Sequence, residues 1–241
     1  MYKTLIFILI VFTCCKNVKN KERVIFYTDF YFKSKKDSVF IDDLAQIKQE
    51  GYCRIYSSNH LSFEQGRISK GNKVGKWQGY IDISDEKNIL NEEKIYSQDG
   101  ALIKYKAFDR TTGHIVEDKN YINDNLVGIQ KEFYSSGKLH IQYETDQEGH
   151  IINDFIVLSE DGKEIYRSFL GNEGSGYIKY YDQYNNIIWE GSFKNKKKEG
   201  WHHEYIIDYG GEKVESISKL YQNDKPIQTK NKTIISKQNK H

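Results

Sequence analysis

The chain has 241 residues, of which 38% are hydrophobic and 14% aromatic, with 19 tyrosines and a formal charge of +2. Its hydrophobic share lies below the ~45–50% of an ordinary globular domain, but so many aromatic residues exclude a solvating, disordered chain. Acidic and basic residues are nearly balanced and interspersed, and the Lys run 196–198 falls at a hairpin tip, so composition also excludes a polycationic nucleic-acid surface.

Near the start of the chain stand Lys3 and the apolar run Leu5 to Phe12, a basic n-region and an h-region too short to cross a bilayer of ~30 Å as a helix. This predicts an export signal over residues 1–15. It ends in Val11-Phe12-Thr13-Cys14-Cys15, which looks like a loose bacterial lipobox. Either Cys15, with Phe12 at minus three, or Cys14, with Val11 at minus three, becomes the lipidated N-terminus; a cleaved signal without lipid is the alternative. Acyl chains that bury methylenes at ~0.8 kcal/mol each hold such a protein on a membrane. The expected address is lipid-anchored, at the outer membrane or the periplasmic face of a Gram-negative envelope.

Residues 16–60 are expected to be a tether and a small N-terminal cap. The polar stretch Lys16 to Arg23 reads as the tether. The run Val24 to Phe32 has strong β preference and predicts one strand. Asp42 to Gly51, with an Asp cap and a terminal Gly, predicts a helix, and together these would cover the first exposed edge of a repeat array over the rest of the chain. With Cys14 and Cys15 assigned to the signal, Cys53 has no disulfide partner and reads as a small buried hydrophobe beside Tyr52 and Ile55.

From Ile68 to Tyr221 a large apolar or aromatic residue returns about every twelve positions, through Tyr80, Tyr96, Phe108, Tyr121, Phe133, Tyr143, Phe155, Phe169, Tyr181, Phe193 and Tyr205. That beat is too long for a helix face and gives room for one strand and one turn, so two beats make a hairpin of about 24 residues. Four segments align without gaps: Ile68-Gly75-Tyr80, Tyr121-Gly128-Phe133, Phe169-Gly176-Tyr181 and Phe193-Gly200-Tyr205. Turns are predicted near 72, 99, 124, 136, 161, 173, 185 and 196, where Asn, Asp and Gly accept positive φ. The sole proline, Pro226, lies beyond the last unit, as a ladder that needs every backbone N–H demands.

The runs Gly75-Lys76-Trp77-Gln78-Gly79-Tyr80, Gly128-Ile129-Gln130-Lys131-Glu132-Phe133 with Ser135-Ser136-Gly137-Lys138-Leu139 after it, and Gly200-Trp201-His202-His203-Glu204-Tyr205 carry a resemblance. The chain resembles the membrane occupation and recognition nexus (MORN) repeats, in the variant form of bacterial secreted proteins, over roughly residues 61–223. Trp stands two after Gly75 but one after Gly200, and Gln130 takes its place in the second unit. The resemblance implies an all-β fold, an elongated antiparallel β-hairpin meander of MORN-like repeats with a small N-terminal cap. The toxin–antitoxin label carried by some members implies an antitoxin or immunity-like protein.

The chain shows no catalytic pattern. Gly71 to Lys76 lacks the first glycine and the Ser/Thr of a phosphate loop. Ser135 and Lys138 have serine-acyl-enzyme spacing but lie in a hairpin turn rather than on a helix. His202 and Glu204 share a strand face while His203 points the other way, too few ligands for a metal. No catalytic residue, metal or cofactor is expected, and no nucleic-acid partner. The stretch 224–241 is rich in lysine and predicts a disordered basic tail.

The aromatic residues carry the remaining functional signal. Trp77, Tyr80, Trp201 and Tyr205 recur at matching places in the first and last full units and predict a binding stripe along the sheet. The leading expectation is a non-catalytic, membrane-anchored repeat lipoprotein presenting an extended β surface to a protein or peptide. An antitoxin or immunity-like protein, and an envelope glycan-binding protein or enzyme, are the alternatives.

Overall fold

The computed structural model describes residues 22–41, 47–57, 61–82, 88–208 and 213–233. Two kinds of turn build it. In the first, both central residues have positive φ: Lys70 and Gly71 (50° and 80°), Asn123 and Asp124 (49° and 64°), Asn195 and Lys196 (51° and 69°), Asn223 and Asp224 (49° and 67°). This is the two-residue hairpin turn whose twist matches that of its strands. In the second, a Ser or Asp side chain caps the turn it opens. Ser97 Oγ accepts from the Ala101 N–H at 2.9 Å, Asp146 Oδ1 from Glu148 and His150, and Asp182 Oδ1 from Tyr184 and Asn186. The turns opened by Asp109 and Asp146 were not among those predicted; their sequences, Asp109 to Gly113 and Asp146 to Gly149, carry the same polar opener and closing glycine.

Strands β1 (Glu22–Tyr27), β2 (Lys35–Ile41), β3 (Gly51–Tyr56), β4 (Ser62–Ser69), β5 (Asn72–Asp82), β6 (Asn88–Tyr96), β7 (Leu102–Phe108), β8 (Ile115–Ile122), β9 (Asn125–Leu126), β10 (Gly128–Phe133), β11 (Leu139–Thr145), β12 (Ile151–Leu158) and β13 (Glu164–Phe169) form one 13-stranded antiparallel sheet. Strands β14 (Gly176–Tyr181), β15 (Ile187–Lys194), β16 (Lys197–Ile207), β17 (Lys213–Gln222) and β18 (Lys225–Thr233) form a second, five-stranded one. The large sheet is an elongated meander except at its start, where β3 pairs with β1 and leaves β2 on the edge.

Strands β1 to β3 stand where the N-terminal cap was expected and continue into β4 without a break, so β3 covers that edge. Two further expectations are corrected. The region of the expected helix is not helical over 47–50, and residues 42–46 lie outside the described residues. Of the basic stretch 224–241 expected to be disordered, residues 225–233 form strand β18, paired along β17, with Pro226 on the outer edge where, among the described residues, no further strand needs its missing N–H; residues 234–241 lie outside the described residues.

The hydrophobic deficit of the sequence has a structural counterpart. Buried residues gather at the two ends of the large sheet: Val24, Phe26, Ile47, Cys53, Ile55, Ile68 and Trp77 at one, and Ile141, Tyr143, Phe155, Val157, Leu170 and Ile178 at the other, where the second sheet packs against it. Cys53 is fully buried, as its apolar neighbours in sequence suggested, and its thiol is pushed up to about 12 by burial. In between, β6 and β7 have no buried residue on either face. That single layer is laced by the ion pairs Lys76–Glu93 (2.5 Å), Lys94–Glu92 (2.7 Å) and Lys104–Asp118 (3.1 Å). Exposed pairs of this kind contribute ~0–1 kcal/mol each, so the hydrogen-bond ladder carries the middle of the molecule.

The repeat has a packing rule. The residues two after Gly75, Gly128, Gly176 and Gly200 are Trp77, Gln130, Ile178 and His202, and all four are buried. In the first, second and fourth units the ladder slips by two residues of register at this point, a bulge that opens space in the sheet. A side-chain N–H fills it. Trp77 Nε1 donates to the Arg67 carbonyl (3.1 Å), Gln130 Nε2 to that of Asn120 (3.4 Å), and His202 Nε2 lies 2.8 Å from that of Ser192. The rings also need room across the hairpin. A Cβ on Gly66 would lie 2.4 Å from the Trp77 ring, and one on Gly191 would lie 2.2 Å from that of His202, so only glycine fits at those two places. In the third unit Ile178 has no N–H to give and Arg167 stands in the glycine's position. There β13 and β14 do not pair, Leu170 and Gly171 bond Asn153 instead, and the sheet divides.

Candidate binding surfaces

The structure separates the four residues expected to form one stripe. Trp77 is 1% exposed and belongs to the first core. Tyr80 stacks on Phe63 at 5.0 Å and donates to Gln78 Oε1 at 3.2 Å. It lines a cavity of about 300 Å³ together with Glu22, Glu64 and Glu92, of which Glu64 is paired with Lys73 and Glu92 with Lys94. Trp201 and Tyr205 lie on the second sheet. The stripe fails because Trp201 is one residue after its glycine and Trp77 two, and successive strand residues face opposite ways. Trp201 therefore matches Lys76, Ile129 and Tyr177, on the outer face. Cys14 and Cys15 lie outside the described residues.

On that outer face Trp201, His203 and Tyr205 stack in a row, with ring centroids 6.4 and 6.3 Å apart. His203 Nδ1 is 2.7 Å from Ser218 Oγ, which sets the ring's orientation. Lys230 Nζ lies 4.7 Å above the Trp201 ring and Lys213 Nζ 3.7 Å from that of Tyr205, cation–π contacts made by long, flexible side chains. Tyr205 donates to Glu190 Oε1 at 2.6 Å, and burial together with that carboxylate raises its hydroxyl above the ordinary tyrosine value. The same causes put Tyr177 at about 12. Burial would raise Glu190 itself, but the hydrogen bonds from Tyr205 and Tyr177, together with the charges of Lys179 and Lys213, more than offset it and hold the carboxyl down.

A second surface lies at the other end of the molecule and was not legible as a site. The run Val24 to Phe32 is not one strand: it turns at Asp29, whose carboxylate accepts the backbone N–H groups of Tyr31 (2.9 Å), Lys33 (3.3 Å) and Ser34 (2.7 Å). These bonds hold the Asp29 carboxyl below its usual range. The turn leaves Phe30 64% and Tyr31 74% exposed. Phe30 packs edge-on against Tyr52 at 5.6 Å, and Phe32 against Tyr52 at 6.0 Å. Arg54 stacks its guanidinium among Tyr27, Phe32 and Phe63 at 5.1–5.6 Å and donates from Nε to Gln65 Oε1 at 3.0 Å. A polar Asp inside an apolar run was the one sequence signal of this loop.

His202, a metal-ligating residue by type, is committed to the Ser192 carbonyl and packed between Phe193 and Tyr221. Asp146, Glu148 and His150 bring ligand atoms within 4.8 Å of one another at the β11–β12 turn. Lys196 Nζ already sits 2.8 Å from Asp146 Oδ2. Burial would raise that carboxyl, but Lys196 and the turn's N–H groups bring it well below the usual range. The cluster is an ion-paired turn that ties the second sheet to the first.

No family model matches the chain, and no curated protein matches it. Among solved structures, a porin-like protein from Bacteroides uniformis is similar over 88% of this chain and 94% of its own, at 9% identity and a TM-score of 0.25. A likeness of that size supports no argument about function.

Proposed function

We propose that this chain is a non-catalytic repeat lipoprotein of the MORN-variant kind, tethered to a bacterial envelope membrane through Cys15 or Cys14, whose second sheet presents a face to a protein or peptide partner. The observation that supports it is the stacked row Trp201–His203–Tyr205. Large, half-buried rings held on an outer sheet face, two of them with a flexible lysine side chain over the ring, are the kind of anchor that a partner buries at a hot spot. Changing Trp201 and Tyr205 together to Ala is expected to weaken capture of the partner by about 2 kcal/mol or more. The melting temperature should move little, since the row lies outside both cores. A steep fall in melting temperature in this variant would instead assign the row to holding the sheet together.

The tether is tested separately. Replacing Cys14 and Cys15 by Ser is expected to move the mature protein from the membrane fraction to the soluble fraction, because the acyl chains supply the membrane affinity. Mass spectrometry that finds an unmodified N-terminus beyond residue 15 would remove the lipid from this reading.

A further inference from the structure

We propose that the cleft beneath the Phe30–Phe32 loop is a binding site for a neutral saccharide, independent of the partner face on the second sheet. The cleft has a volume of about 380 Å³ and is lined by Phe30, Tyr31, Phe32 and Tyr52 as walls and by Gln65, Gly66, Lys76 and Gln78 as floor. Its size falls at the lower end of the ~300–1,000 Å³ of small-ligand sites, which suits one or two sugar rings.

Three features select this chemistry. The first is aromatic rings exposed in a fixed arrangement. Phe30 and Tyr31 are far more exposed than such side chains usually are, yet their loop is tied by three bonds to the Asp29 carboxylate and by edge-on packing on Tyr52. A ring face is electron-rich and attracts the polarised C–H face of a pyranose.

The second is the floor. Gln65 Oε1 is held by Arg54 Nε at 3.0 Å, and Gln78 Oε1 by the Tyr80 hydroxyl at 3.2 Å. With its oxygen engaged, Gln78 keeps N–H donors for hydroxyl oxygens, and Gln65, whose Nε2 gives one N–H to the Tyr80 hydroxyl at 3.5 Å, keeps its second. Gly66 adds no side chain, so the floor stays open. Lys76 is the one charged lining residue, and Glu93 neutralises it at 2.5 Å. A charged ligand would meet no unbalanced charge in the lining.

The third feature excludes a peptide added as a strand. The cleft lies over β3, β4 and β5, whose backbones are paired on both sides. A peptide joined by main-chain bonds needs an open edge, and this face has none.

The test is calorimetric titration of the full chain with methyl glucoside, maltose, cellobiose and N,N′-diacetylchitobiose, on wild type and on the variants Tyr31→Ala and Gln78→Ala. At least one sugar is expected to bind with a Kd near or below ~1 mM. Each variant should weaken it about tenfold or more, which is ~1.4 kcal/mol, at an unchanged melting temperature. Absence of binding by wild type up to ~10 mM of every sugar, or binding that survives both changes, overturns the proposal. Sedimentation with anionic vesicles, using soluble protein that lacks the acyl chains, is run in parallel. Vesicle binding lost on Tyr31→Ala, with no sugar bound, would assign the loop to a membrane surface instead. Neither result touches the Trp201 row, whose own variant tests the partner face.

Discussion

Trp77→Ala is expected to lower the stability of the protein by about 3–5 kcal/mol, the cost of removing a buried ring and leaving its cavity. The ring is 1% exposed and packs in the same core as Phe26, Cys53, Ile55 and Ile68. Its indole N–H closes the bulge through the Arg67 carbonyl, and Gly66 has given up a side chain to admit it. Truncation therefore removes apolar contact, a hydrogen bond and the reason for a glycine at once. Trp201→Ala, by contrast, removes an outer ring and a cation–π contact and should cost ~1 kcal/mol or less. Urea denaturation of the two single variants checks the pair. Equal losses would mean that the packing rule of the repeat is wrong.

Glu132→Gln is expected to cost about 2–4 kcal/mol, since it leaves a buried ammonium without its counter-ion. Lys119 is 6% exposed. Its Nζ donates to Glu132 and, at 3.3 Å, to the Tyr143 hydroxyl, and the Tyr180 hydroxyl from the second sheet donates to the same Glu132 oxygen. The cluster thus joins the two sheets, and every member depends on the carboxylate. Burial pulls the Lys119 ammonium down, but Glu132 and Tyr143 more than offset this, so it lies above the ordinary lysine value. Burial and Glu132 likewise raise Tyr180. Both folded values exceed the unfolded ones, near ~10.4 for Lys and ~10 for Tyr. The stability they contribute is fully present below about pH 10 and is lost as pH rises through the folded values. Wild type should therefore show a steep alkaline loss above about pH 10. Glu132→Gln should be weaker at neutral pH and show a shallower alkaline loss, because Lys119 no longer has a partner that raises it. Denaturation series between pH 7 and pH 11 measure both effects, and parallel curves for the two proteins would exclude the cluster as the junction's electrostatic tie.

The site residues were only partly legible. Trp201 and Tyr205 do share a face, as residues four apart on a strand must, but His203 between them completes the row, and nothing in its sequence context marks it as more than a polar strand residue. Trp77 was misplaced by a single residue: counted from its glycine it occupies the inward position that Gln130, Ile178 and His202 also hold. The cleft at Phe30 and Tyr31 was hidden inside a run whose β preference is uniform, because propensity reports what each residue favours alone. The Asp29 carboxylate that turns the chain there acts through three backbone donors, two to five residues away.

By itself the sequence determined the period, the strand type and most of the turns of this protein. Those depend on local chemistry: positive φ at Asn, Asp and Gly, side-chain caps at Ser and Asp, and a twelve-residue beat that holds one strand and one turn. Only the tertiary structure decided which face each ring takes, where the long sheet ends and what becomes of the C-terminal stretch. A bulge shifts the register, and with it the residues that face one another across a hairpin, by an amount set by the partner strand, so Trp77 goes inward through Gly66 and the Arg67 carbonyl. The break between β13 and β14 falls at the unit where Ile178 has no side-chain N–H to fill a bulge, and there Leu170 and Gly171 bond Asn153 instead. Strand β18, polar and exposed, is held by its pairing with β17, an interaction between segments that no composition of either one reveals.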